Sequence, residues 1–151
     1  MKARSAVGHS PSLDKPGEEV WIRLGEAARA AAANAYSKYS GFRVGAALLA
    51  DDGSVYVGCN VENASYGLTV CAERNAVFSG VTKGMRKIVA LVVYTPTPSS
   101  TPPCGACRQV IAEFGHDVQI RCLSESGDAL VTSIGELLPH AFDAEAVTKR
   151  G

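Results

Sequence analysis

Four residues in two separated stretches have the types and spacing to do chemistry together. Cys71 stands 33 positions before Cys104, and Cys104 and Cys107 form a C-x-x-C pair directly after Pro102 and Pro103. Three thiols so spaced could converge on one ion, which is one ligand short of a closed zinc site. Structural zinc sites are usually full, whereas a catalytic site keeps one corner open for a water that the metal acidifies. Glu73, two residues past Cys71, adds a carboxylate that can take a proton from that water without being a ligand. Three thiolates would leave the cluster net negative and weaken the metal as a Lewis acid, so an offsetting cation is needed. Arg74, next to Glu73, is the candidate, because a guanidinium can donate to ligand sulfur.

Two further groups lie close by in sequence. Asn60 and Glu62 offer an amide and a carboxylate at alternate positions of one short loop, where both can face a ligand bearing hydroxyls. A carboxylate there would repel a phosphate ester, which favours an uncharged ligand over a nucleotide or a polynucleotide. Phe42 could stack on a flat ring, although core packing is the usual fate of a phenylalanine.

The quoted stretches resemble one family. NVENASYGLTVCAER at 60–74 and PCGACRQ at 103–109, together with YSKYSGFRVGAALL at 36–49, GCNVENASYG at 58–67 and ELLPHAF at 136–142, are similar to the small, homotetrameric, three-cysteine cytidine deaminases. Cys-x-Glu with a distant Pro-Cys-x-x-Cys is a signature of zinc deaminases. The resemblance runs from about residue 20 to 142. Two departures are mild: the stretch before residue 18 is longer than the family needs, and Arg43 stands where proline is frequent.

The resemblance implies one zinc per subunit on Cys71, Cys104 and Cys107, with Glu73 as the catalytic proton carrier and Arg74 supporting the sulfurs. It also implies hydrolytic deamination of cytidine and 2′-deoxycytidine to the uridine nucleosides, with release of ammonia, as a step of pyrimidine salvage. Asn60 and Glu62 would hold the ribose 3′-hydroxyl, Phe42 would meet the pyrimidine, and backbone near Ala72 and Cys104 would read the base edge. Tyr66 and Phe142 would reach a neighbouring subunit's site in a homotetramer. No organic cofactor is expected.

Other readings stay open on the sequence. A related deaminase could act on another aminopyrimidine nucleoside, such as an antibiotic. A zinc-stabilised binding module could recruit Cys59 or Cys122 as a fourth ligand, and a thiol redox protein could use Cys104 and Cys107. Cys59 and Cys122 fall in apolar strand-like runs and are expected to be buried free thiols. His116 and His140 are expected on surface or loop positions, and Gln109 is expected to support its own helix.

Composition narrows the class. Lys plus Arg equals Asp plus Glu at 15 each, and no segment concentrates basic residues, which argues against nucleic-acid or polybasic membrane binding. No run of about 20 apolar residues could span a membrane, and metal-like cysteine spacing suits a reducing compartment; together these predict a cytoplasmic protein. With 151 residues the chain fits one domain. Residues 1–17 are rich in Ser, Pro, Gly and charge and are expected to form a flexible arm, leaving 18–151 as the domain.

The elements that must position the chemistry follow in order. Apolar residues at three-to-four spacing predict a helix over 18–35. Strands are expected at 43–50 and 54–59, joined by a tight Asp51-Asp52-Gly53 turn. A polar loop over 60–68 leads into a helix that begins near 69–71 and ends near 83. The apolar run at 88–94 predicts a central strand, and four prolines exclude regular structure over 95–103. A helix over 104–114, strands at 118–123 and 130–132, and a helical piece from Ser133 with Glu136 in a capping box complete the chain. Strands linked by helices imply a sheet between helical layers, and the family resemblance makes this a three-layer α/β/α arrangement with a mixed five-stranded sheet.

Overall fold

The computed structural model describes residues 15–148; the expected arm, apart from residues 15–17, lies outside the described residues. Glu18–Ala33 forms α1, Gly45–Ala50 β1, Val55–Cys59 β2, Ala72–Thr82 α2, Ile88–Thr95 β3 and Gly105–Glu113 α3. Gln119–Ser124 forms β4, Ala129–Ser133 β5, Ile134–Leu137 α4 and Ala144–Thr148 α5. The sheet runs β2-β1-β3-β4-β5, with β3 and β4 parallel and the other pairs antiparallel. The α/β class and mixed five-stranded sheet are therefore as expected.

Alternation along β1 and β3 divides the interior into two layers, because successive strand residues point to opposite faces. Ala46, Leu48, Leu91 and Val93 face α2 and α3, where they pack with Ala76, Val77, Cys107 and Ile111. Ala47, Leu49, Ala90, Val92 and Tyr94 face α1, against Trp21, Leu24, Ala28 and Ala32. Small residues on α1 let it lie very close to the sheet. A Cβ on Gly45 would sit 1.9 Å from the Ala28 carbonyl oxygen and 2.6 Å from the Ala32 nitrogen. Gly45→Ala is therefore expected to destabilise the fold by about 3 kcal/mol, read from the urea midpoint. An unchanged midpoint would mean that α1 can back away from β1 at little cost.

The other face uses the same device for the helix that carries the chemistry. A Cβ on Gly58 would come within 2.4 Å of both the Ala72 oxygen and the Ala76 nitrogen. The first turn of α2 thus rests directly on the β2 backbone, and Asn75 Nδ2 donates to the Cys59 carbonyl 2.8 Å away. The expected capping box is present, with the Ser133 side chain accepting from the Glu136 amide and Glu136 accepting from the Ser133 amide.

Three local features differ from the sequence expectation. The polar loop contains a 3-10 turn, Tyr66–Leu68, and Val61 bridges both Tyr36 and Val70, so the segment is pinned at its middle. The short helix α5 follows Asp143, whose Oδ1 accepts from the Ala146 amide. Cys59 is half-buried at the end of β2 rather than fully enclosed. Strand β2 lies at the sheet edge, with a neighbouring strand on one side only. Cys122 is fully buried, as expected.

A candidate zinc and proton-transfer site

Two helix starts bring the sulfurs together. Cys71 is the N-cap of α2 and Cys104 the N-cap of α3, both with extended backbone, and Cys107 lies one turn into α3. Neither N-cap side chain bonds its own helix, so both sulfurs are left for another partner, beside the partial positive charge of a helix N-terminus that favours thiolate. The Cys71, Cys104 and Cys107 sulfurs lie within 4.8 Å of one another. The Cys71 and Cys104 sulfurs are 3.8 Å apart, matching the roughly 3.8 Å between two sulfurs at about 2.3 Å from a tetrahedral zinc. The donor set fits one zinc with a fourth corner left over. No other group of three metal-binding side chains occurs among the described residues, so neither Cys59 nor Cys122 joins it, and the closed binding-module site loses its fourth ligand.

The cluster's electrostatics favour ionisation of one sulfur, that of Cys71. Cys71 is the first to ionise: the Cys107 thiol, followed by Arg74 and Cys104, stabilises its thiolate and holds its pKa down to about 5. Cys107 is pushed upward, chiefly by its hydrogen bond to Cys71 and then by burial. Arg74 Nη2 lies 3.5 Å from Cys71 Sγ and 3.5 Å from the Thr69 carbonyl oxygen, so the guanidinium is where the charge argument needs it. Its Nε is buried and has no hydrogen-bond partner.

Glu73 is only 5% exposed. Burial raises its pKa, the Cys71 charge adds to this, and Cys107 and Arg74 act in the opposite sense. A carboxylate with raised proton affinity, bordering a cleft, has the property required of a group that takes up a proton and gives it back.

The cleft has a volume of about 220 Å³. Phe42, Asn60, Glu62, Cys71, Glu73 and Cys104 border it, so residues expected from four separate stretches meet in one place. The remaining wall comes from Val44, Thr69, Val93, Thr101 and Pro102. Of these, only the positions of Thr69 and of Thr101-Pro102, just before the two cysteine motifs, hinted at a role. Ala72 does not border the cleft; it is fully buried, with its carbonyl against Gly58.

The sugar-binding candidates are held by backbone. Asn60 Oδ1 accepts from the Val44 amide and its Nδ2 donates to the Phe42 carbonyl. Glu62 accepts from the amides of Tyr39 and Ser40 and from the Ser40 hydroxyl. The Ser40 hydrogen bond, with smaller help from those amides, holds the Glu62 carboxyl below its usual range.

Tyr66 lies outside this cleft, in an adjoining hollow of about 290 Å³ shared with Tyr39, Ser40, Glu62, Asn63 and Thr69. Its ring meets that of Tyr39 edge-on at 5.9 Å. Phe142 borders neither hollow and is 64% exposed. Gln109 does not brace its own helix; its Nε2 donates 2.8 Å to the Phe142 carbonyl and so holds the C-terminal segment. His116 and His140 are both exposed. Arg108, for which the sequence suggested no task, ties the chain just before Cys104 to the end of α4, donating to the carbonyls of Pro103 and Leu137.

Known proteins are similar to this chain in sequence and fold. The family model for the cytidine and deoxycytidylate deaminase zinc-binding region matches residues 21–122. A cytidine deaminase of Halalkalibacterium halodurans is 53% identical over 112 residues, covering 74% of this chain and 85% of its own. One from Mycobacterium tuberculosis is 45% identical over 129 residues, covering 81% and 89%. The crystal structure of cytidine deaminase from Burkholderia pseudomallei superposes with a TM-score of 0.77 at 51% identity, covering 80% of this chain and 98% of its own. With three sulfurs, a buried glutamate and a mixed sheet in agreement, this chain belongs to the cytidine and deoxycytidylate deaminase family.

Proposed function

We propose that the protein hydrolyses cytidine and 2′-deoxycytidine to uridine and 2′-deoxyuridine with release of ammonia, as a step in salvage of pyrimidines. The observation that carries this reading is the meeting of Glu73 with Cys71 and Cys104 on one cleft that also presents Phe42, Asn60 and Glu62. Relatives named cytidine deaminase support the substrate class.

Cys71, Cys104 and Cys107 would hold one zinc, which would supply Lewis acidity that makes a water easier to deprotonate. Glu73 accepts the proton of that water and delivers it to ring N3 as the oxygen bonds to C4. It then carries the proton of the new C4 hydroxyl to the amino group, the C4–N bond breaks as C4 becomes a carbonyl, and ammonia leaves. Arg74 holds Cys71 and offsets sulfur charge. Phe42 meets the pyrimidine face, and backbone beside Cys104 reads the base edge. Asn60 keeps one N–H and one oxygen lone pair free of its backbone bonds, enough for a ribose 3′-hydroxyl. Glu62, kept ionised by Ser40, accepts from the same hydroxyl and repels a phosphate, which selects free nucleosides.

At about 220 Å³ the cleft is smaller than the roughly 300–1,000 Å³ of pockets that enclose drug-sized ligands. A neighbouring subunit's Tyr66 and Phe142 complete it in a homotetramer. Exposed Val57, Val61, Tyr66, Leu68, Phe78 and Phe142 support such an assembly, since a monomer gains nothing by leaving them in water. No helix among the described residues is long and apolar enough to cross a membrane, and we place the enzyme in the cytoplasm, where thiols stay reduced.

The test is direct: purified protein is given cytidine, deoxycytidine and cytosine, and ammonia release is followed with the ultraviolet change. Release from both nucleosides is expected. Release from neither would end the proposal, and release from free cytosine at a comparable rate would remove the sugar contacts of Asn60 and Glu62.

Arg74 adds a second expectation. Loss of a group that supports a metal ligand typically costs about 10–100-fold in activity or metal affinity, and Arg74→Ala is expected to lose that much turnover while retaining zinc. Unchanged kinetics would remove Arg74 from the mechanism.

A further inference from the structure

One wall of the cleft is built from a segment with no regular structure of its own. Residues 96–103 read PTPSSTPP, so half of them lack an amide donor and none belongs to a helix or strand. Thr101 and Pro102 of this segment border the cleft, and Cys104 follows directly. Inside it the Thr97 hydroxyl donates to the Ser99 carbonyl, at its end Arg108 holds the Pro103 carbonyl, and the rest of its support comes from another part of the sheet.

That part is the turn between β4 and β5. Asp128 Oδ2 accepts from both the amide of Ser100, at 2.8 Å, and its hydroxyl, at 2.9 Å. The Ser126 hydroxyl donates to the Pro98 carbonyl, and the Glu125 amide donates to the Thr97 carbonyl. The turn is itself fixed: the Ser124 amide and hydroxyl both donate to the Asp128 carbonyl, and the Asp128 amide donates to the Ser126 hydroxyl. Of these three contacts with the segment, the Asp128 carboxylate makes the one nearest the cleft, one residue before Thr101.

We infer that Asp128 is a positioning residue for substrate: through Ser100 it sets Thr101 and Pro102 as the cleft wall, and so governs how tightly the nucleoside binds rather than how fast it reacts. The inference deepens the proposed deamination and rests on it for its kinetic readout. Neither Asp128 nor Ser100 touches a sulfur or Glu73, so proton transfer and metal holding are left alone. Both residues of the contact are at the surface, and the change is expected to be local.

The test compares Asp128→Ala, Asp128→Asn and Ser100→Ala with the unaltered protein. For Asp128→Ala, KM for cytidine is expected to rise about 10-fold, the size of a lost hydrogen-bond pair to a charged group. Its kcat should stay within about twofold and zinc content should be unchanged, as expected when binding of the ground state and of the transition state is lost equally. Asp128→Asn keeps an oxygen that accepts from Ser100 and should restore most of the affinity. Combining Asp128→Ala with Ser100→Ala should cost less than the sum of the two, because they share one contact. Amide exchange over 99–101 should quicken in Asp128→Ala alone. An unchanged KM, a fall confined to kcat, or unchanged exchange at Ser100 would each overturn the assignment. If the unaltered protein releases no ammonia from either nucleoside, the functional reading fails, and amide exchange still decides whether Asp128 holds the wall.

Discussion

Glu73→Gln retains zinc and loses turnover of cytidine by about 10²–10⁴-fold, the range for a positioned proton carrier. Glutamine matches glutamate in size and hydrogen-bond reach but cannot take up and return a proton. Little else in the cleft could substitute. Among the residues bordering it, Glu62 is the other carboxylate, and it is engaged by Tyr39 and Ser40 and held ionised, which suits an acceptor and not a shuttle. Glu73 has the opposite surroundings, since burial raises its proton affinity. The variant should fold normally, because the replaced group packs beside Cys107 with the same volume. The measurement is kcat with zinc quantified in the same sample. Turnover surviving in a zinc-loaded variant would take the proton-carrying role from Glu73.

Cys107→Ala is expected to be the more damaging change to the metal. Groups that merely support a ligand are worth about 10–100-fold in metal affinity, so loss of one of three ligands should cost well over about 100-fold, and the purified variant should carry little zinc. The effect spreads further than at Cys71 or Cys104, because Cys107 is fully buried in the layer between α2, α3 and the sheet. In this variant Cys71 also loses the hydrogen bond from Cys107 that does most to stabilise its thiolate, and the two helix starts lose their shared anchor. Zinc analysis, activity and thermal unfolding with and without chelator check this. A variant that binds zinc at one per chain and deaminates at the normal rate would show that two sulfurs suffice.

The chemistry was legible because cysteine spacing suggests a metal site and the family resemblance supplies its reaction. Cys71, Cys104 and Cys107 fall at helix starts, and a C-x-x-C pair on one turn must present both sulfurs to one side. The sheet was legible as well, since β3 is a single unbroken apolar run and β1 and β2 are joined by a turn with suitable residues. The cleft's far wall was not, because Val93 reads as core, and Thr101 and Pro102 read as loop until the β4–β5 turn is placed beside them. Asn60 was visible as a polar residue near the motif, but its bonds to Phe42 and Val44 depend on a strand that pairs across the sheet. Gln109 was assigned to its own helix because its partner, the Phe142 carbonyl, lies 33 residues away. The half-burial of Cys59 went unseen for a related reason: strand composition does not tell an edge from a centre.

The division of the interior into two layers separates durability from performance. Glu73, the three sulfurs and Cys122 lie on the α2 and α3 side, whereas Trp21, Leu24 and the alanines of α1 occupy the opposite side. Variation beneath α1 should change how long the molecule survives heat while barely touching its chemistry. An engineer seeking a hardier catalyst therefore has a whole face to rework without approaching the reacting atoms.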